Sequence, residues 1–263
     1  MKIKPPIPLF GIPIKDRVNP ILIIILDKPI DINIHLSEDT IVTSLKDVSL
    51  DNHCLNIINK YMNIIATEIG FNLDIKMQTK GETKIPCMSL YSMLTYIMSL
   101  ELSKYYDVRL EDILRVIQEV EKEYIKSEYM QFIDACRQSI NTGKPIIYRQ
   151  GEGFIPINIS EPPIIITPLG KTKSIEENYT KYSESIMSAL THIAGVLVIE
   201  AFNALTNNTS YINSLIKLEN TLWYILYNIS IPTEVHTKWV TDINKAYLVR
   251  IWLTEIDNNK ARR

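Results

Sequence analysis

Glycine is scarce in this sequence of 263 residues: there are 8 glycines, and none follows Gly195. Loops that wrap phosphate groups depend on glycine, because backbone N–H groups must approach the ligand without a side chain in the way. The scarcity therefore argues against glycine-rich nucleotide-binding loops, above all in the C-terminal part of the chain.

Cysteine is scarce as well, and Cys54, Cys87 and Cys136 lie far apart. No Cys-x-x-Cys pair or Cys/His spacing typical of zinc sites is present, so no metal is expected. The odd number predicts free, buried thiols. The start of the chain, Met-Lys followed by prolines, does not form a signal-peptide pattern. These features together favour a cytoplasmic protein.

Long hydrophobic runs and blocks of like charge are also missing. The apolar run from Ile21 to Leu26 is too short to cross a bilayer, so no membrane partner is expected. Net charge is −2, and the Lys-Ala-Arg-Arg end is the one basic block, so nucleic acid is not expected as a partner. Isoleucine is used heavily, which an AT-rich genome or a hot environment would each explain.

Hydrophobic residues make up 46% of the chain and charged residues 22%, as in a folded globular protein. Apolar residues alternate from Ile30 to Leu36, which predicts a strand, and step by threes and fours from Leu55 to Ile69, which predicts a helix over 51–69. Another helix is predicted to begin near Met88 and to be central and mostly buried, because its apolar residues cover more than one stripe. The segment KPIIYRQGEGFIPINI is predicted as a hairpin with its turn at Gly151–Gly153. Residues 231–245 are predicted as a helix and 246–256 as a final strand.

The predicted element order is β-β-α-β-α-α-β-β-β-α-α-α-β, which indicates an α+β fold. No internal repeat and no flexible linker interrupt it. We expect an N-terminal domain over 1–150 and a C-terminal domain over 151–263.

This order resembles that of the GHMP kinases, the superfamily of galactokinase, homoserine kinase, mevalonate kinase and phosphomevalonate kinase, over nearly the whole chain. The segment PPIPLFGI, Pro5–Ile12, is similar to the family's first motif and keeps Leu9, Phe10 and Gly11. The segment KGETKIPCMSLYSML occupies the place of the family's glycine- and serine-rich phosphate loop. The resemblance implies a ribosomal S5-like N-terminal half and a ferredoxin-like C-terminal half.

The three family motifs are degraded in this chain. Pro6 and Ile12 stand where the first motif supplies a lysine and an acidic or histidine residue. Bulky residues from Ile85 to Met88 replace the small residues of the phosphate loop, and Pro86 has no N–H to donate. The third motif, a glycine-rich turn, should lie around residues 244–253, which contain no glycine.

The resemblance gives four residues candidate roles. Ser89 would bond a phosphate at the start of the helix, and Gly81 and Lys84 would form a further phosphate contact. Asp134 is the acid nearest to the family's catalytic aspartate, which would take a proton from a substrate hydroxyl. The plainer interpretations are a first-turn serine, a solvated turn and a surface or capping carboxylate, and we favour them.

Two functions from different classes follow. The first is a relative of these kinases that has lost ATP binding and catalysis, needs no cofactor, and acts by binding a protein partner or by self-association. The alternative is a divergent small-molecule kinase of the mevalonate or homoserine kinase type, which would use ATP and Mg²⁺ and would need Lys84 and Asp134 to face one cleft. We favour the first because all three glycine-rich motifs are lost together.

For the first function, the predicted surface that contacts the partner consists of aromatic residues of the C-terminal part: Trp223, Tyr224, Tyr227 and Trp239.

Overall fold

The computed structural model describes residues 1–46, 48–77, 83–158, 164–175, 181–207 and 211–253. The strands are β1 (Lys2–Ile3), β2 (Pro6–Phe10), β3 (Ile21–Ile25), β4 (Ile30–Ser37), β5 (Thr40–Lys46), β6 (Val48–Ser49), β7 (Asn72–Met77), β8 (Thr83–Lys84), β9 (Ile146–Arg149), β10 (Gly153–Pro156), β11 (Ile164–Ser174), β12 (Thr237–Asp242) and β13 (Lys245–Leu253). The helices are α1 (Asn52–Glu68), α2 (Cys87–Tyr106), α3 (Leu110–Lys122), α4 (Ser127–Thr142), α5 (Glu184–Thr206) and α6 (Ile212–Tyr227).

The first sheet has the strand order β1-β4-β5-β7. The alternation read from the sequence is confirmed in β4, where Ile30, Ile32 and Ile34 are buried and the residues between them are partly exposed. Strands β5 and β7 are parallel, and α1 connects them. The Asp51 side chain accepts a hydrogen bond from the Cys54 N–H at 2.7 Å and so caps the start of α1.

The second sheet has the strand order β10-β9-β3-β2. Helix α4 contacts all four of its strands, and α5 contacts β2 and β3. Gly151 and Gly153 have positive φ angles at the turn between β9 and β10, so this segment is a hairpin turn, as the sequence predicts. The hairpin spans residue 150, the predicted domain boundary, and lies in the same sheet as the N-terminal strands.

Helix α2 runs through the centre of the fold. Every residue from Cys87 to Ser99 is buried, and the helix contacts α1, α3, α4, β4 and β12. Its buried hydroxyl groups bond to the preceding turn: the Thr95 Oγ1 donates to the Tyr91 carbonyl at 3.0 Å, and the Ser99 Oγ to the Thr95 carbonyl at 2.7 Å. The central position predicted for this helix is confirmed.

Helix α4 was not predicted from the sequence. Its buried residues include Glu128, Gln131, Arg137 and Ser139, which interrupt the apolar pattern that marks a core-facing helix. The helix ends at Gly143, whose φ of 64° is the left-handed conformation that favours glycine. Gly143 therefore has a structural role as the cap of α4.

The third sheet has the strand order β11-β13-β12 and belongs to the C-terminal part of the chain. The helix predicted over 231–245 is wrong, because Thr237–Asp242 form β12, while the final strand is confirmed as β13. In this segment, apolar residues stand at every fourth position, which is the spacing of one face of a helix: Val235, Trp239 and Ile243. Pairing with β13 and burial of all six residues of β12 favour the extended conformation instead.

The prediction of free thiols is wrong for two of the three cysteines. Cys54 and Cys87, 33 residues apart, form a disulfide that joins the first turns of α1 and α2, with 5.2 Å between their Cα atoms. Cys136 is free and buried, and burial raises the pKa of its thiol. Because Cys54 and Cys87 are not free thiols, they do not support the predicted cytoplasmic location. That location stays a prediction.

Among the described residues, α5 is long and apolar enough to span a bilayer by length and composition. One side of α5 packs into the core, through residues that recur at helical spacing: Met187, Leu190, Ala194, Leu197, Val198 and Ala201. Because one side of the helix is enclosed by protein, α5 is a structural helix of this fold whose other side is exposed.

Candidate functional site

The N-terminus of α2 holds a carboxylate that comes from the far end of the chain. The Cys87 N–H donates to Asp242 Oδ2 at 3.0 Å, and the Met88 N–H donates to Asp242 Oδ1 at 2.6 Å. The N–H of Ile243 also donates to Oδ1, at 2.8 Å. Pro86 precedes the helix and contributes no side-chain cap, so Asp242 satisfies the N–H groups that begin α2.

The environment of Asp242 contains opposing electrostatic effects. Burial raises the pKa of its carboxyl to about 6, although the N–H groups of Met88, Cys87 and Ile243 lower it. Helix N-termini attract anions, because the peptide dipoles and the free N–H groups point at the ligand. At neutral pH, Asp242 is therefore an anion placed where a helix N-terminus would otherwise bind one from solution.

We expect Asp242 to make folding pH-dependent. Its pKa is higher in the folded protein than in the unfolded chain, so its contribution to stability is complete below about pH 4 and is lost as the pH rises through about 6. The loss should approach about 3 kcal/mol. Urea unfolding of the wild type and of Asp242→Asn at several pH values measures it, because the variant lacks this titration. A difference in the free energy of unfolding between the two proteins that stays constant from pH 4 to 7 would contradict the prediction.

A cavity of about 150 Å³ lies beside Asp242. Lys84, Asp51 and Tyr247 line it together with Gly170, and the Lys84 side chain packs so closely on Gly170 that a Cβ there would lie 2.9 Å from Lys84 Cδ. Lys84 therefore lies near the start of α2, as the resemblance implies. It shares the cavity with two carboxylates.

Ser89 does not face this cavity. The residue is fully buried, and its hydroxyl donates to the backbone carbonyl of Pro6, which ties α2 to β2. The plainer interpretation of Ser89, a structural serine in the first turn, accounts for this bond. Gly81 lies outside the described residues.

Asp134 lies elsewhere, in the middle of α4 and against α3, and its side chain is 13% exposed, so the favoured interpretation as a surface or capping carboxylate is wrong. Its Oδ1 accepts a hydrogen bond from Gln118 Nε2 at 2.8 Å and is 3.6 Å from Arg137 Nη1. Burial raises the pKa of this carboxyl. Lys84 also lines a second cavity, of about 670 Å³, next to β3 and β11, and Asp134 lines neither cavity. The structure therefore does not bring Lys84 and Asp134 into one cavity, which the kinase alternative requires.

Arg137 is the centre of a buried polar cluster next to Asp134. Its Nη1 donates to Glu121 Oε2 at 2.8 Å, and its Nε donates to Thr95 Oγ1 at 3.1 Å. Tyr91 donates to the same Glu121 carboxylate at 2.6 Å. The side chains of Arg137 and Glu121 are 3% and 1% exposed, so this cluster stabilises the packing of three helices and has no access to solvent.

Two hydrogen bonds from the C-terminal part of the chain fix Gly11, in the segment that resembles the family's first motif. The Gly11 N–H donates to Glu219 Oε1 at 2.7 Å, and the Gly11 carbonyl accepts from Thr241 Oγ1 at 3.0 Å. Glu219 forms a buried ion pair with Lys238, whose Nζ lies 4.4 Å from the centre of the Phe10 ring. Charged groups are therefore present near this motif, but α6 and β12 supply them and the core encloses them.

The predicted aromatic contact surface is wrong for three of its four residues. Trp223, Tyr227 and Trp239 are buried, whereas Tyr224 is 51% exposed. Trp239 Nε1 donates to the Ser230 carbonyl at 2.8 Å, and the Tyr227 hydroxyl donates to the Pro13 carbonyl. Large aromatic side chains give the greatest apolar burial, and here they form the core around α6.

Sequence reasoning missed Asp242, Glu219 and Lys238. One signal was available, because Lys238 and Asp242 flank Trp239, Val240 and Thr241 in a segment that is a buried strand. Charged residues in a buried strand need partners, and that requirement marks them as parts of a site or of an ion pair. Among the described residues, no group of three or more His, Cys, Asp or Glu side chains could hold a metal ion.

Comparison with known proteins gives a structural likeness without a sequence match. No family model matches the chain, and no curated protein matches its sequence. The structure of L. major mevalonate kinase in complex with R-mevalonate matches with a TM-score of 0.64 at 11% identity, over 99% of this chain and 88% of that one. Streptococcus pneumoniae phosphomevalonate kinase, in complex with phosphomevalonate and AMPPNP, matches with a TM-score of 0.52 at 10% identity, over 95% of this chain and 91% of that one.

Lactococcus lactis galactokinase complexed with galactose also matches, with a TM-score of 0.52 at 12% identity, over 99% of this chain and 86% of that one. At such identities a structural likeness shows the fold and does not transfer the activity. The matches cover nearly the whole chain, so they apply to both of its halves. This protein has a divergent form of the α+β fold of the GHMP kinases.

Proposed function

We propose that this protein is a non-catalytic relative of the GHMP kinases that has lost ATP binding and acts through contacts with protein. The observation that carries the proposal is the Asp242 carboxylate, which accepts hydrogen bonds from the N–H groups of Cys87 and Met88. By the resemblance, the phosphate loop of an active relative leads into this helix. An internal anion that already occupies the first turn of α2 excludes a phosphate, since the two negative charges would compete for the same N–H groups.

The space around Asp242 supports the same proposal. Pockets for drug-sized ligands usually enclose roughly 300–1,000 Å³, whereas the cavity beside Asp242 encloses about 150 Å³. Ile85, Pro86 and Met88 are buried, so bulky side chains fill the region where the family has small residues. A triphosphate would have to displace both the carboxylate and this packing.

We expect millimolar Mg-ATP to leave the melting temperature of the wild type unchanged. A ligand at a hundred times its dissociation constant stabilises the folded state by about 2.7 kcal/mol. For a protein of this size that corresponds to a rise of about 5–10 °C, which a thermal-shift measurement detects easily. A rise of several degrees that disappears in Lys84→Ala would contradict the proposal and support the divergent kinase.

A small-anion experiment tests whether Asp242 occupies an anion site. Asp242→Ala removes the carboxylate and leaves three N–H groups without their acceptor, and each unsatisfied buried donor costs about 1–3 kcal/mol. Formate supplies, as a free ion, the carboxylate group that the substitution removes. We therefore expect formate to raise the melting temperature of Asp242→Ala more than that of the wild type, with chloride at equal ionic strength as the control. Equal responses of the two proteins would count against the assignment of an anion site.

A further inference from the structure

Helix α5 exposes an apolar face on the surface of the protein. Four apolar side chains of α5 are each between 43% and 47% exposed: Ile186, Ile193, Val196 and Ile199. No lysine or arginine occurs between Glu184 and Thr206. Contiguous apolar surface of this kind marks an interaction site in most soluble proteins.

The residues of this face are arranged symmetrically about Val196. Ile193 and Ile199 lie three positions to either side of it, and His192 and Glu200 lie four positions to either side. Residues three and four apart share one side of a helix, so all five belong to the same face. Isoleucines at one distance, and an imidazole and a carboxylate that can hydrogen-bond to each other at the next, are what an antiparallel pairing of this helix with itself requires.

We propose that the partner of α5 is a second copy of this chain, bound by an antiparallel two-fold pairing of α5 with α5 that has Val196 at the symmetry axis. A two-fold interface uses the same patch on both copies, so the patch must be complementary to itself. Ile193 of each copy packs against Ile199 of the other. This inference names a partner for the interaction role proposed above and rests on that role.

The polar residues select the antiparallel orientation. In this orientation, His192 of each copy lies opposite Glu200 of the other, which allows two hydrogen bonds between an imidazole N–H and a carboxylate. A parallel pairing would place Glu200 against Glu200, and like charges in direct contact disfavour association. Within its own chain, Glu200 Oε2 accepts a hydrogen bond from the Tyr211 hydroxyl at 3.4 Å, which leaves Oε1 to accept one from a partner.

A groove next to α5 extends the apolar surface. It encloses about 740 Å³ between α5, the hairpin of β9 and β10, and residues 18–20. Val196 and Ile199 of α5 line it together with Val18 and Ile155, which are 42% and 60% exposed. A partner helix that lies along α5 would cover these side chains as well, so the buried apolar area is larger than that of the helix pair alone.

Sedimentation equilibrium of the full chain tests the proposal. We expect the wild type to associate from 30.3 kDa to twice that mass as its concentration rises. Val196→Arg brings two guanidinium groups together at the axis and should weaken dimerisation by about 100-fold or more. His192→Glu should weaken it too, because it places carboxylates opposite one another. The exchange variant His192→Glu/Glu200→His restores the opposite pairs and should restore the dimer.

Leu218→Arg is the matched control. Leu218 is 54% exposed on α6 and does not line the groove next to α5, so its substitution should leave the mass unchanged. Circular dichroism confirms that each variant is folded. A wild type that stays monomeric to about 1 mM overturns the proposal, as does a dimer that is indifferent to both Val196→Arg and His192→Glu. Wild-type monomers that instead bind phosphatidylcholine vesicles through α5 would assign this face to a lipid surface and overturn it as well. None of these measurements uses nucleotide, so their failure is distinct from that of the Mg-ATP experiment.

Discussion

Changing Arg137 to methionine should lower the free energy of unfolding by about 3–5 kcal/mol, because it leaves the buried Glu121 carboxylate without its cation. Nη1 and Nη2 of Arg137 both donate to Glu121, and the two side chains are almost completely enclosed. Total stabilities of folded proteins are about 5–15 kcal/mol, so the variant should lose a large share of its stability. Urea unfolding followed by circular dichroism measures the loss.

Two control variants separate the effect of burial from the effect of charge. Arg149→Met removes a cation from an ion pair with Glu152 whose side chains are 48% and 64% exposed, and it should cost less than about 1 kcal/mol. The triple variant Arg137→Met/Glu121→Leu/Tyr91→Phe replaces the ion pair and the Tyr91 hydroxyl with apolar groups and should recover most of the loss. If Arg137→Met costs no more than Arg149→Met, the cluster does not have the stabilising role that its geometry indicates.

Changing Leu94 to aspartate should unfold the protein. Leu94 is 0% exposed in the middle of α2, the helix that contacts both halves of the molecule. An unpaired buried carboxylate costs several kcal/mol, which is comparable to the whole stability of a typical domain. Loss of the cooperative thermal transition, or loss of soluble expression, is the expected result.

Leu218→Asp is the control for the aspartate substitution at Leu94. It makes the same chemical change at a helical position that is 54% exposed, and it should alter stability by less than about 1 kcal/mol. A soluble Leu94→Asp protein that melts cooperatively near the wild-type temperature would refute the central placement of α2.

Hydrophobic periodicity predicted well the elements in which one face is apolar and buried and the other face is polar and exposed. The strand at Ile30–Ser37 alternates between buried and exposed side chains, and the helix at Asn52–Glu68 presents one apolar stripe, as the sequence predicts. β12 and α4 are two elements that periodicity failed to predict. Both bury charged or polar residues, such as Lys238 and Arg137, whose burial depends on partners elsewhere in the chain.

The candidate site was predicted only in part. The sequence pointed to the start of α2 and to Lys84, and both lie beside the cavity that contains Asp242. Asp242 itself is 155 positions from Cys87, so no local pattern relates the two residues. Asp134 and Ser89 were selected through the resemblance, and the structure uses their polar atoms in packing contacts within the N-terminal part.

The sequence by itself determined the α+β class and the central helix. It also determined the loss of the glycine-rich loops, because these properties follow from residue type and short-range spacing. Tertiary structure alone decided which anion meets the N-terminus of α2, which cysteines pair, and which aromatic residues are core. Those outcomes depend on side chains brought together from distant positions, since the free energy of burying a charge or a ring depends on its partners in space and not on its neighbours in sequence.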